Sequence, residues 1–466
     1  MKRVLAGAAL AAMAFTGSAH AQQNPQAPNP QAEAQALELL KRGIAFRTVA
    51  GPGNQTPDYA AYLKEQLVAG GFDPADIRIE KMGDTAWLAA RYPGTSKTAK
   101  PIYISGHMDV VEAKPEDWTR DPFTPIVENG YIFGRGATDM KYDLSTIVAT
   151  LIQLKREGYK PSRDIILLAS GDEETSMKTT AAMAEQYHDA ELLLNVDGGG
   201  GGLDENGKPE IFGLQGAEKT YADYELTFTN PGGHSSAPGA SNAIYSLAHA
   251  LAKIEAYQFP GEINEITRAG FVQGAKTADP EMARAMRAFL ANQQDAKALA
   301  TLRSEPGLIG QTGTTCVATM VNAGHATNAL PQRATANINC RIFPGTSVET
   351  VAATLTKVVA DPELKLKTLD SGSIASPASP LRPDLMKLVS EGIHARFPGV
   401  PIVPAMSAGA SDSMWFRAKG VPSYGISPIF MKGSDSFAHG LNERTPLSEI
   451  APSITYYKFL LKGLTK

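Results

Sequence analysis

The chain has 466 residues, 43% of them apolar and 20% charged, with 43 glycines, 31 prolines, 2 cysteines and a formal net charge of −4. That length accommodates two or three domains with ample cores; the apolar content excludes a disordered chain, and two cysteines exclude a disulfide scaffold. Mild acidity without a long basic run argues against a nucleic-acid or anionic-membrane partner and leaves a globular protein acting on a small molecule or peptide.

The N-terminus reads as a targeting segment. Lys2 and Arg3 precede an apolar run, Val4–Phe15, and Ala19-His20-Ala21 supplies a small-residue cleavage site. This is the layout of a secretory signal peptide over 1–21, too short to span a bilayer, and no cysteine follows to take a lipid. The expectation is a periplasmic or secreted protein with no membrane span after cleavage. Gln22–Pro30 then forms a polar, proline-rich tether.

Ala36, Leu37, Leu40, Ile44 and Ala45 recur at helical spacing, and Tyr59, Tyr62, Leu63 and Leu67 mark a second helix ending at Gly70-Gly71. Short apolar runs follow at Pro101–Ser105, Asp164–Ala169 and Ala190–Val196. Between the first two, Leu144, Ile147, Val148, Leu151, Ile152 and Leu154 form another amphipathic helix. Strands alternating with helices predict an α/β domain whose mostly parallel sheet is covered on both faces.

After Gly213 the pattern changes. Thr220–Asn230 alternates like a half-exposed antiparallel strand. A helix at Asn242–Tyr257 follows, then strand-like runs at Thr314–Val321 and Thr335–Ile342, a helix at Val348–Ala360 and a short strand near Leu364–Leu369. That order is ferredoxin-like and predicts an α+β lid at 218–372. Extra residues near 259–310, with a helix at Pro280–Leu290, interrupt it. The lid divides the catalytic α/β domain into 22–217 and 373–466, the latter with elements at Asp384–Phe397, Gly420–Ile426 and Leu447–Leu461. Cys316 and Cys340 meet if their two runs pair as a hairpin, and are separate buried thiols otherwise; export would place them in an oxidising compartment.

Open α/β sheets bind ligands beyond the carboxyl ends of their strands. Here those ends carry acids and histidines: Gly106-His107-Met108-Asp109, Gly171-Asp172-Glu173-Glu174 and Asp197-Gly198-Gly199-Gly200. Thr138-Asp139 precedes the helix at Met140, and His439-Gly440 precedes the last helix. Ionised carboxylates crowded at one edge repel unless a cation holds them. Imidazole and carboxylate are ordinary zinc ligands, and two Zn²⁺ balance three carboxylates and a hydroxide. No H-E-x-x-H occurs, which removes a helix-borne mononuclear protease site.

These motifs resemble those of the co-catalytic di-zinc metallopeptidases that include glutamate carboxypeptidase, aminoacylase, carnosinase and succinyl-diaminopimelate desuccinylase. The matching stretches, in order, are SGHMDVV (105–111), WTRDPFTPIVENGYIFGRGATDMK (118–141), SGDEE (170–174), VDGGG (196–200), PGGHSSAPG (231–239), NALP with CRIFPG (328–345), SAGASDS (407–413) and HGLNE (439–443). The resemblance implies that His107 and Asp197 bind one zinc, Glu174 and His439 the other, and Asp139 bridges them; Co²⁺ or Mn²⁺ could substitute. It implies further that Asp109 orients His107, that Glu173 is the general base, and that His234 donates to the oxyanion. Arg341 matches the position that binds the substrate's terminal carboxylate, with Asn328, Gly409 and Ser411 at supporting positions. Relatives of this kind often share His234 between subunits, so the expectation is a homodimer through the lid. The implied activity is cleavage of an amide bond next to a free carboxylate, by a carboxypeptidase or dipeptidase, with an N-acyl-amino-acid deacylase as the alternative. The chain departs from the usual pattern at Glu112, Tyr142 and Thr175-Ser176-Met177, all expected near the cleft.

Two other readings compete. Gly233–Ala237 loosely matches a serine-hydrolase elbow, with Asp412 and His439 following in a permissible order. A non-catalytic binding protein of the same fold would be expected to have lost a ligand or the base, whereas all six positions are filled here.

Overall fold

The computed structural model describes residues 29–370 and 372–466; the predicted signal peptide and residues 22–28 of the tether lie outside them. The first helix, Pro30–Ala45, begins inside the expected tether because Asn29 caps it, its side chain accepting from the Ala32 N–H at 3.1 Å, with Pro30 opening the first turn.

The main sheet has ten strands. At its centre Ile165–Ser170, Ile102–His107, Leu192–Asn195 and Ser423–Gly425 run parallel, and these strands are almost wholly buried, as a sheet covered on both faces requires. The hairpin Ile77–Met82/Thr85–Tyr92 extends one side antiparallel. On the other side lie Pro209–Glu218, Gly200–Leu203, Phe430–Lys432 and, parallel to Pro209–Glu218, Ile402–Ser407. One face carries the helices Pro30–Ala45, Lys141–Arg156 and Ile450–Leu464 over the largest core. The opposite face is closed by Trp87, Tyr103, Leu168 and Phe416 with the helices Lys178–Gln186 and Ser413–Ala418. Gly199 shows why the D-G-G-G run is glycine: its φ is +80°, and a Cβ there would stand 2.6 Å from the Gly425 carbonyl oxygen.

A second sheet orders its strands Thr315–Ala323, Arg333–Ile342, Thr220–Thr229, Lys365–Leu369, all antiparallel, with the helices Ala243–Ala256 and Val348–Val359 on one face. Cys316 and Cys340 face each other directly across two of these strands, with Cα atoms 4.1 Å apart, and are joined as a disulfide. Four helices, Glu265–Thr277, Pro280–Ala291, Ala296–Arg303 and Pro306–Ile309, fill the extra segment around their own core of Phe271, Met286, Phe289 and Leu302. They do not hang from the small sheet alone. Ile266 packs with Ala217, Phe343 and Met406, so the first of these helices rests on the edge strand Ile402–Ser407 of the main sheet.

Candidate active site

The strand ends and loops named above converge. Asp139 lies between two imidazoles: its Oδ1 is 3.1 Å from His107 Nε2 and its Oδ2 is 3.1 Å from His439 Nε2. Asp197 Oδ2 stands 3.7 Å from His107 Nε2, and Glu174 Oε2 is 3.0 Å from His439 Nε2. Ligand atoms of His107, Asp139 and Glu174 all fall within 4.8 Å of one another. All five residues expected to hold metal are thus in one cluster. His439 reaches it from a left-handed backbone conformation, φ +60°, at the turn before Gly440.

The electrostatics are those of a site built around a cation. Burial opposes protonation of His107, but Asp109 and Asp139 outweigh it and hold the imidazole well above its usual range. Asp139 and Glu174 push His439 up to about 10. Asp139 is itself held far below the carboxylate range: burial works against this, and its bonds to the two histidines prevail. Burial drives Glu173 and Asp197 well above that range, opposed by His107 and reinforced by neighbouring acids. Protons held on crowded donors are what divalent cations displace, and a carboxylate flanked by two imidazole nitrogens would suit a place between two such ions.

Asp109 meets His107 as expected, but mainly through its main chain. His107 Nδ1 is 2.9 Å from the Asp109 backbone carbonyl oxygen and 3.6 Å from its carboxylate. That carboxylate accepts the backbone N–H groups of Glu173 at 3.1 Å and Glu174 at 3.0 Å, fixing the loop that carries both acids.

Glu173, Glu174 and His439 share a cleft of about 610 Å³ with Tyr221, Asp223 and Arg341 of the small sheet, and with Ala410. The Arg341 guanidinium lies 4.7 Å from the Tyr221 ring centroid and donates to the Ala408 carbonyl at 3.2 Å, beside Gly409. Ser411 is buried and anchors this loop from behind, donating to Glu218 at 2.6 Å, itself paired with Arg417 at 2.9 Å. His234 and Asn328 are exposed and lie apart from that lining, at a two-strand ribbon in which Gly233–His234 pairs with Ala329–Leu330.

Of the departures, only Thr175-Ser176-Met177 lines the cleft. Tyr142 is in the core, bonded to Ser453 at 2.8 Å, and Glu112 pairs with Arg47 at 2.8 Å; a polar ring on the buried helix Lys141–Arg156 needs an internal partner and finds one.

Two acids essential to the geometry take roles not read from sequence: Glu443 had none, and Asp412 entered only as the acid of the serine-hydrolase alternative. Buried Glu443 accepts the N–H groups of Gly136, Thr138 and Asp139 at 3.0, 2.7 and 2.9 Å and pairs with Arg135 at 2.8 Å. Asp412 accepts from Ser170 at 2.6 Å and Ser105 at 3.3 Å, and from Thr180, tying together two strand ends and a helix. With Asp412 so engaged and His439 on Asp139 and Glu174, the serine-hydrolase triad does not form. Glu443's position in HGLNE, four residues after His439, was the available signal.

Residues 103–463 match the family described as Peptidase family M20/M25/M40. The chain is 28% identical over 447 residues to the N-fatty-acyl-amino acid synthase/hydrolase PM20D1 of Xenopus tropicalis, covering 92% of this chain and 86% of the relative. It is 27% identical over 394 residues to the probable carboxypeptidase S-like 2 of Dictyostelium discoideum, covering 81% and 74%. Its fold is similar to that of the M20 family metallo-carboxypeptidase Sso-CP2 from Sulfolobus solfataricus, with a TM-score of 0.71 at 22% identity over 92% of this chain and 98% of the other. With a metal-type cluster at its strand ends and most of its length matched, the chain belongs to peptidase family M20/M25/M40 and is a hydrolase of peptide or amide bonds.

Proposed function

We propose that the protein is a di-zinc carboxypeptidase or dipeptidase that cleaves the amide bond next to a free carboxylate. The observation that carries this reading is the shared cleft: Arg341 from the small sheet faces the same space as Glu173, Glu174 and His439. Its planar fork suits bidentate capture of a terminal carboxylate. The relatives named for carboxypeptidases support it.

His107 and Asp197 would hold one ion, Glu174 and His439 the other, with Asp139 between. When bound, two such ions polarise a carbonyl and make water acidic near neutral pH. Glu173 takes a proton from the attacking water on its carboxylate and delivers it to the leaving nitrogen. Asp109, holding the Glu173 and Glu174 amides, keeps base and ligand in register. His234 stands on an exposed ribbon, which suits donation to the oxyanion in a partner subunit's site. Exposed Val317, Met320 and Val321 on the edge strand, with Tyr245 on a neighbouring helix, support a homodimer through this module.

The similarity to an N-fatty-acyl-amino acid hydrolase favours the second reading, a deacylase using the same machinery. Export is supported by the signal-peptide pattern and by the Cys316–Cys340 disulfide, which belongs to oxidising compartments. No helix among the described residues is long and apolar enough to cross a membrane. Parallel assays on dipeptides with free and amidated C-termini, and on N-acyl amino acids, test both readings. Preference for the free terminus, abolished by chelation and restored by Zn²⁺, is expected; equal rates on both termini would remove the role given to Arg341.

A further inference from the structure

The small sheet has one face under helices and one open. Side chains alternate along a strand, so Tyr221 and Asp223 share the open face with Asn337, Asn339 and Arg341 of the neighbouring strand. The register sets Arg341 opposite Tyr221 and Asn339 opposite Asp223. One side chain links the two charges. The Tyr221 ring lies beneath the Arg341 guanidinium, and its hydroxyl donates to Asp223 Oδ2 at 2.6 Å. Asp223 Oδ1 accepts from the amides of Asn337 at 2.8 Å and Asn339 at 3.0 Å.

Partial burial works against ionisation of Asp223, but these three neutral donors outweigh it, with Arg341 adding at longer range. The direct hydrogen bonds to this carboxylate come from Tyr221, Asn337 and Asn339, all neutral. A carboxylate accepts about four hydrogen bonds, and three are made here. Asp223 also lines the cleft that contains Glu173, Glu174, His439 and Arg341. A negative charge is thus held in the cleft by neutral donors, with Arg341 acting on it only at longer range and one acceptor position open.

We propose that Asp223 selects substrates whose carboxyl-terminal residue is basic, lysine or arginine; this rests on Arg341 holding the terminal carboxylate. Two residues along a strand span about 7 Å, and the four-carbon stem of lysine has a comparable reach. With the α-carboxylate on Arg341, a side chain laid along the strand brings its cation to the open position on Asp223. A residue that only stapled the two strands would need acceptor atoms and no charge, which makes the two roles separable.

The zinc-loaded enzyme is assayed on Ala-Lys, Ala-Arg, Ala-norleucine and Ala-Nε-acetyl-lysine. The expected kcat/KM is about tenfold higher for the two basic dipeptides than for the two uncharged ones, with the difference residing in KM. Acetyl-lysine keeps the stem and removes the charge, so this comparison needs no variant. In Asp223→Asn, which keeps an acceptor for the two asparagines while Tyr221 turns to accept, the ratio should fall to within about twofold. The ratio cancels any general loss of activity. Cleavage of Ala-norleucine with no preference for lysine, or a preference undiminished in Asp223→Asn, overturns the inference and leaves the peptidase reading standing. Cleavage of none of the four overturns both.

Discussion

The carboxylate of Glu443 accepts the backbone N–H of Asp139 at 2.9 Å, so an acid four residues after His439 holds the main chain at the centre of the cluster. The same carboxylate takes the Thr138 and Gly136 amides, and its partner Arg135 donates to the His439 carbonyl at 3.3 Å. Asp139 and His439, far apart in the chain, are thereby fixed relative to each other. Glu443→Ala leaves the buried Arg135 guanidinium without its partner and should cost about 3–5 kcal/mol of stability. Metal affinity should fall about 10–100-fold as the loop loosens. Urea denaturation and calorimetric zinc titration measure the two effects; normal zinc affinity in the folded variant would contradict the tie.

Glu173 contacts none of the cluster's imidazole nitrogens, whereas Glu174 does. Glu173→Gln should therefore keep close to two zinc ions per chain by elemental analysis while kcat falls about 10²–10⁴-fold. Unchanged turnover would refute its role as base.

Asp143 is buried on the helix behind the site, accepting from Tyr457 at 2.5 Å and Ser427 at 2.8 Å, and burial pushes its carboxyl up to about 7. The folded state thus favours the protonated form. Its contribution is fully present below about pH 4, where the unfolded chain is also protonated, and is lost as pH rises through about 7. Asp143→Asn should accordingly gain in Tm relative to the parent between pH 5 and pH 8. A parallel pair of Tm profiles would show that Asp143 does not titrate in this window.

The disulfide joins residues 24 apart in sequence. Closing a loop of that size stabilises by about 3 kcal/mol through the unfolded state. The double variant Cys316→Ser/Cys340→Ser should lose about that much in denaturant, with the catalytic strands intact and zinc content unchanged. An unaffected midpoint would show that the staple only marks the compartment.

The periodic elements were legible because their faces are well separated in character: the run Leu144–Leu154 lies in the helix Lys141–Arg156, and alternation in Thr220–Thr229 marks a strand with one open face. Thr85–Tyr92 was missed because TAWLAARY, buried almost throughout, has neither alternation nor a helical stripe. Gly200–Leu203 was missed because glycines carry no pattern. The metal-type cluster was legible because strand ends announce it. Contacts that cross the fold have no local signature. Nothing in the spacing of Glu443, Asp412 or Asp223 says what their carboxylates meet, and the motif around Asp109 does not reveal that its carboxylate turns to the Glu173 loop.

His107, Asp139, Glu174, Asp197 and His439 come from five separate stretches, the first and last at opposite ends of the α/β sheet's sequence. No fragment of the chain holds the set, and the cluster exists only once the C-terminal segment has docked against strands made from the N-terminal one. A metal ion held by this set, such as the proposed zinc, would consequently bind the finished fold alone. Its binding draws the folding equilibrium forward by RT ln(1 + [Zn²⁺]/Kd), about 4 kcal/mol at a thousandfold excess over Kd. The supply of that metal would then set how much of the protein stays folded as well as how much is active.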